Sequence, residues 1–136
     1  MKFIQHVALN CQDRESQEKF YSTHFGARRV RVFNAGKSDE FVMLRLGESC
    51  LELFSAQPEH RTQKAGPQNV GFSHLAFEVE DIEATAKQIE LTGIKHEGII
   101  GCSSSVSALK ICFFQDPEGN RIELMQGWKD DETLST

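Results

Sequence analysis

The feature that most constrains this chain is that it writes one pattern twice. The stretch Phe72-Ser73-His74-Leu75-Ala76-Phe77-Glu78-Val79-Glu80-Asp81 has an earlier counterpart in Ile4-Gln5-His6-Val7-Ala8-Leu9-Asn10-Cys11-Gln12-Asp13. In each, a histidine opens an alternating apolar strand and an aspartate follows seven residues later, where a helical pattern begins. His6 and His74 are 68 residues apart, as are Asp13 and Asp81. Each copy also closes on a similar tripeptide, Leu51-Glu52-Leu53 and Ile122-Glu123-Leu124, at an offset of 71. Two tandem halves, each with a His near its start and a Glu near its end, are expected.

The halves are too short to be independent domains of ordinary size, since the whole chain has 136 residues, enough for a single core. A net charge of −5, without a basic cluster that could track a phosphate backbone, argues against nucleic acid as a partner. The N-terminal residues enter a strand pattern directly, without the apolar core of a secretory signal, and no apolar run is long enough to cross a bilayer. A cytoplasmic protein with no membrane partner is expected. The four cysteines form no CxxC pair, so they read as reduced, partly buried thiols.

In chain order, residues 3–10 alternate, with Gln5, Val7 and Leu9 on one face and Ile4, His6 and Ala8 on the other. Asp13 is placed to cap a helix whose stripe is Gln17, Phe20, Tyr21 and His24, and Gly26 suits its C-terminal stop. Strands follow at Val30 to Phe33, Phe41 to Leu46 and Ser49 to Phe54, giving β-α-β-β-β. Residues 57–70 are polar, contain Pro58, Gly66 and Pro67, and read as a linker. The second half repeats the order: a strand over 72–79, a cap at Asp81, a helix with the stripe Ile82, Ala86 and Ile89, and a stop at Gly93. Strands near 94–100, from Leu109 to Gln115 and from Arg121 to Gln126 complete it, with Asp116-Pro117-Glu118-Gly119-Asn120 as a turn. The organisation is one domain over 1–128, with module one at 1–56, linker 57–70 and module two at 71–128. The polar tail 129–136 is expected to be poorly ordered.

Strand alternation decides which way the repeated residues point. Ile122 and Leu124 share the face that would pack under a helix, which leaves Arg121, Glu123 and Met125 on the other. The same argument turns Glu52 away from Leu51 and Leu53, His74 away from Leu75 and Phe77, and His6 away from Val7. If the halves pack about an approximate two-fold axis, two imidazoles and two carboxylates converge. That set suits one divalent transition ion, Ni, Zn, Co, Mn or Fe, with positions left for a substrate. An open ion of this kind polarises a carbonyl and stabilises the enolate left when an adjacent C–H loses its proton to a carboxylate. Any one of the four residues taken alone reads as an ordinary strand residue; the duplication is what favours a shared site.

At these residues the sequence resembles the vicinal oxygen chelate superfamily, which includes glyoxalase I, extradiol dioxygenases, fosfomycin-modifying enzymes and bleomycin-resistance proteins. The resemblance runs over roughly residues 3–127 and rests on His6-Val7-Ala8-Leu9, Phe20-Tyr21 before Gly26, Leu51-Glu52-Leu53-Phe54, Gly71 to Phe77 and Phe113 to Leu124. It implies an α+β fold of two tandem βαβββ modules forming a cup-shaped, eight-stranded mixed sheet around one metal site, often as a homodimer. It implies His6, Glu52, His74 and Glu123 as metal ligands, the glyoxalase I set, and Glu123 or Glu52 as the carboxylate that moves the proton, with Glu123 preferred. The function so implied is a metal-dependent, glyoxalase-like lyase or isomerase acting on a small oxygen-bearing molecule. One position departs from bacterial glyoxalase I: Asn10 stands where an Arg would help hold glutathione, so glutathione is not the favoured substrate.

Two other functions share the architecture. An Fe(II) dioxygenase needs open positions that a fourth ligand, Glu52, would occupy. A metal-free, bleomycin-resistance-like binding protein has no need of a full ligand set, and this chain keeps all four. His24, His60 and His96 lack a spacing partner and read as surface residues. Cys50 and Cys112 could face the cup but are expected to pack. Arg45, Arg121 and Lys110 could steer an anionic substrate.

Overall fold

A computed structural model describes residues 3–60 and 71–134. Contacts divide the chain into two units, Met1–Ala65 with Asp116–Glu118, and Gly66–Gln115 with Gly119–Thr136. The fold class is the α+β arrangement expected: the described residues form eight strands, distributed as two four-stranded mixed sheets, each accompanied by one α-helix.

In the first unit the elements are β1 (His6–Cys11), α1 (Arg14–Phe25), β2 (Arg28–Phe33), β3 (Phe41–Leu46) and β4 (Ser49–Ser55), in sheet order β1-β4-β3-β2. β1 runs parallel to β4, with Val7 opposite Leu51 and Ala8 opposite Glu52. The return from β1 to its parallel partner needs a crossover, and α1 begins it. Asp13 starts the helix by accepting the Ser16 N–H at 3.0 Å, and Gly26 ends it at φ 65°, a left-handed conformation that costs glycine nothing. The covered face buries Phe20, Tyr21, Val42, Leu44, Leu51 and Leu53. Each such side chain contributes about 1.5–3 kcal/mol by leaving water.

The second unit repeats this: β5 (Leu75–Glu78), α2 (Ile82–Leu91), β6 (His96–Gly101), β7 (Lys110–Gln115) and β8 (Arg121–Gln126), in order β5-β8-β7-β6. Asp81 caps α2 by accepting the Ala84 N–H at 2.9 Å, and the predicted stripe Ile82, Ala86 and Ile89 is the buried one. It packs with Ile122, Leu124 and Phe114, while Leu75 pairs with Ile122 across a parallel ladder. The register irregularities fall at matching places, between Arg29 and Arg31 in β2 and between His96 and Ile99 in β6.

One strand and two histidines differ from the expectations above. β5 is shorter than the 72–79 read from alternation. The linker begins with a 3-10 turn at Pro58–His60, and the remainder of it lies outside the described residues. The described part of the tail holds another 3-10 turn, Glu132–Leu134, and Trp128 donates its indole N–H to Asp130 at 2.8 Å. His24 is half-buried against the Phe20 ring, centroids 4.9 Å apart, and burial lowers its pKa. His96 is held by Glu90 at 3.1 Å, with its Nδ1 accepting the Gly98 N–H at 3.0 Å. Neither is a plain surface residue. The His60 side chain lies outside the described set.

Asp116, read from composition as part of a turn, is 4% exposed. Its Oδ2 accepts from Gln17 Nε2 at 2.7 Å and from the Tyr21 hydroxyl at 2.9 Å, and its Oδ1 accepts the Glu118 N–H at 3.0 Å. Glu118 in turn accepts the Asp13 N–H at 2.7 Å. The turn between β7 and β8 thus belongs, by its contacts, to the unit built from the first module.

Candidate metal-ligand pairs

Each unit brings one repeated His and one repeated Glu together. In the first, His6 at the start of β1 lies with its Nε2 3.6 Å from Oε2 of Glu52 in β4. The parallel register that sets Ala8 opposite Glu52 brings the strand opening within reach of that carboxylate. His6 Nδ1 is hydrogen-bonded to the Gln5 amide oxygen, an acceptor only, so the ring proton is on Nδ1 and Nε2 keeps its lone pair. The Gln5 amide nitrogen reaches Cys50 Sγ at 3.8 Å.

In the second unit His74 Nε2 lies 2.9 Å from Oε2 of Glu123 in β8, and His74 Nδ1 lies 3.0 Å from the Ser73 hydroxyl. Glu123 is 8% exposed, while Ile122 and Leu124 on either side are fully buried, as alternation under a helix requires. Phe113 is the cross-strand partner of Glu123 and meets the His74 ring edge-on, centroids 5.3 Å apart. The Arg121 guanidinium lies 4.0 Å from the Phe113 centroid and 3.2 Å from Glu97.

The same face of the first sheet carries three stacked rings. Phe33 and Phe41 have centroids 4.6 Å apart, and Phe41 and Phe54 have centroids 4.4 Å apart. Phe54 is two residues beyond Glu52, and Met43 is opposite Glu52. Sequence reading missed this aromatic row; the pairing of Phe33 with Phe41 across β2 and β3 is what assembles it.

Other tempting residues are placed elsewhere. Lys110 extends to Glu83 of α2, on the helix side of its sheet, and Arg45 donates to the Glu48 carbonyl at 2.8 Å. Cys112 and Cys50 are buried, and Cys112 is opposite Leu124 on the core face, so both pack as expected. Cys11 is also buried, and burial together with nearby Glu118 and Asp116 pushes its thiol up to about 12.

The donors in each pair, one imidazole nitrogen and one carboxylate oxygen, are of the type a borderline divalent ion takes. The second ring nitrogen of each His is engaged by a neighbour, the arrangement that orients metal-binding imidazoles. Among the described residues no group of three or more His, Cys, Asp and Glu is gathered at ligand distance; each unit by itself holds one His–Glu pair.

Against known proteins, residues 3–124 match the family model of the Glyoxalase/Bleomycin resistance protein/Dioxygenase superfamily. The chain belongs to that superfamily. It is 30% identical to the uncharacterised protein YaeR of Escherichia coli (strain K12), over 93% of this chain and 97% of that one. It is 29% identical to a probable lactoylglutathione lyase of Synechocystis, over 91% and 95% of the two chains. The crystal structure of a glyoxalase family protein from Enterococcus faecalis superposes with a TM-score of 0.73 at 33% identity, covering 91% of this chain and 97% of that one. Among the described residues no helix is long and apolar enough to cross a membrane.

Proposed function

We propose that this protein is a metal-dependent lyase or isomerase of the glyoxalase type, acting on a small oxygen-bearing substrate by proton transfer beside a carbonyl. The observation that carries the reading is the duplicated His–Glu pair, His6 with Glu52 and His74 with Glu123, each imidazole steadied through its Nδ1. Those four residues would hold a divalent ion, Ni, Zn, Co, Mn or Fe, and the ion when bound would supply Lewis-acid polarisation of the substrate carbonyl. Glu123 takes the proton from the adjacent carbon: it is nearly enclosed, so bulk water does not compete for its oxygens, and His74 fixes its orientation. Glu52 is the second candidate for that role. The Phe33, Phe41 and Phe54 row offers apolar surface to the body of the substrate. The relative named as a probable lactoylglutathione lyase supports the reaction class. A homodimeric, cytoplasmic enzyme with a small-molecule partner accords with this reading.

The test is elemental analysis of the dialysed full chain. About one Ni, Co, Zn or Mn ion per chain, reduced in His6→Ala, is expected, and a screen for isomerase activity then begins with hemithioacetals of methylglyoxal. Tightly held iron would favour the dioxygenase chemistry instead. Absence of metal after reconstitution with each ion would overturn the catalytic reading in favour of a binding protein.

A further inference from the structure

Arg121 stands two residues before Glu123 on β8, so both side chains leave the same face of the sheet, with Cα atoms roughly 7 Å apart. The Phe113 ring links them: it carries the Arg121 guanidinium on its face at 4.0 Å, lies opposite Glu123 across the strands, and meets His74 edge-on. A guanidinium over an aromatic face keeps its in-plane N–H donors free to bind in the fork geometry that matches an oxyanion. The anionic partner it has is Glu97, at 3.2 Å, whose side chain is 59% exposed. An ion pair so exposed is weak and gives way to an incoming anion. Lys110, by contrast, is turned to the helix side, and Arg45 is engaged by a backbone carbonyl.

We propose that Arg121 forms an anion subsite for the substrate. The inference rests on the reading of Glu123 as the reacting carboxylate and deepens it. The substrate then carries, besides the oxygens at its reacting carbon, a carboxylate or phosphate about three to five bonds away, the reach set by a spacing of roughly 7 Å along the strand. Arg121 is a specificity-determining residue in this scheme and takes no part in proton transfer. Glu97 occupies the subsite when no substrate is present and competes with it.

The test uses three probes that share a hydroxyketone end: dihydroxyacetone, dihydroxyacetone phosphate and 5-hydroxy-4-oxopentanoate. Each is titrated calorimetrically into the full chain, with and without added Mn²⁺. At least one anionic probe is expected to bind the wild type about 10- to 100-fold more tightly than dihydroxyacetone, and the stronger of the two identifies phosphate or carboxylate as the group recognised. Arg121→Gln should erase that preference and leave dihydroxyacetone binding unchanged, whereas Glu97→Gln should strengthen both anions several-fold. Equal affinities in the wild type, a preference that survives Arg121→Gln, or no gain in Glu97→Gln would overturn the subsite. The two readings separate cleanly. If Mn²⁺ strengthens none of the probes while the Arg121-dependent preference persists, the metal reading fails and the subsite stands; the reverse pattern removes only the subsite.

Discussion

His74 Nε2 lies 2.9 Å from Oε2 of Glu123, so the repeated imidazole and carboxylate of the second unit are in direct contact. His74 Nδ1 lies 3.0 Å from the Ser73 hydroxyl, a group that can donate or accept. The matching His–Glu contact in the first unit is longer, 3.6 Å, and there His6 Nδ1 donates to the Gln5 amide oxygen. The Gln5 oxygen can only accept, so it holds a proton on Nδ1 of His6 and leaves Nε2 to an ion, whereas the Ser73 hydroxyl fixes neither tautomer of His74.

That asymmetry predicts unequal effects of removing the two supporting groups. Gln5→Ala should weaken metal binding roughly 10- to 100-fold, the usual effect of losing a group that orients a ligating imidazole. Ser73→Ala should weaken it less, since a hydroxyl that can donate or accept does not fix the His74 tautomer as the Gln5 oxygen fixes that of His6. Competition against a chromophoric chelator measures both. No change in either variant would mean that neither His is a ligand.

Asp116 predicts a stability effect out of proportion to its place in a turn. Replacing it with Ala strands Gln17 Nε2 and the Tyr21 hydroxyl, two buried donors that share its Oδ2. Leaving buried donors unpaired costs about 1–3 kcal/mol each, so Asp116→Ala should lose about 2–6 kcal/mol in urea unfolding. Tyr21→Phe removes one donor together with its need for a partner and should cost about 1–2 kcal/mol. The double variant should lose less than the sum, because the two residues share one interaction.

This network also marks where reading the sequence stops. The offset of 68 residues predicted both helix caps, and Asp13 and Asp81 both accept the expected N–H. Alternation predicted that Ile122 and Leu124 would be buried beneath a helix and that Glu123 would leave by the other face, where the structure sets it 2.9 Å from His74. Asp116 gave no such signal, because its partners Gln17 and Tyr21 are 99 and 95 residues away and its neighbours Pro117 and Gly119 satisfy every local rule for a turn. The clue was Gln17, a polar residue in the middle of the buried stripe of a weakly apolar helix, which needed a partner from elsewhere. The Phe33, Phe41 and Phe54 row was hidden for the same reason, since three strands contribute one ring each.

Cys11 makes a prediction about alkaline pH. Its thiol titrates near 9.0 in an exposed chain and is pushed up to about 12 in the fold, first by burial and then by Glu118 and Asp116. Below 9.0 both states are protonated and the fold's preference for the thiol over the thiolate is fully present. Above it the unfolded chain releases a proton that the folded chain keeps. Stability should therefore fall by about 1.4 kcal/mol per pH unit from this group between 9.0 and about 12. Tyr21, also raised by burial and by Asp116, adds to the fall at the upper end. Urea midpoints measured at intervals above pH 8 should decline steeply in the wild type and less steeply in Cys11→Ala. Equal slopes would remove Cys11 from the account.

Gly127, immediately after the strand that carries Glu123, should tolerate a side chain far less well than Gly26. Both have positive φ, 85° and 65°, so alanine at either pays a backbone penalty of about 1–2 kcal/mol. At Gly26 an added Cβ meets nothing within 4 Å, and the cost should end there. At Gly127 the same atom would lie 2.6 Å from the carbonyl oxygen of Ala108 and 3.2 Å from its carbon. Both are backbone atoms, Ala108 itself has φ 66°, and the next residue begins the approach to β7, so the neighbour has little freedom to move. Overpacking adds about 1–3 kcal/mol. Gly127→Ala should therefore lose about 2–5 kcal/mol in urea unfolding against about 1–2 for Gly26→Ala. Because Lys110 opposes Gln126 at this end of the β7–β8 ladder, the strain enters the strand that positions Glu123. Metal affinity should fall with stability in Gly127→Ala and stay unchanged in Gly26→Ala, and equal losses in the two variants would show that the close approach to Ala108 does not hold in solution.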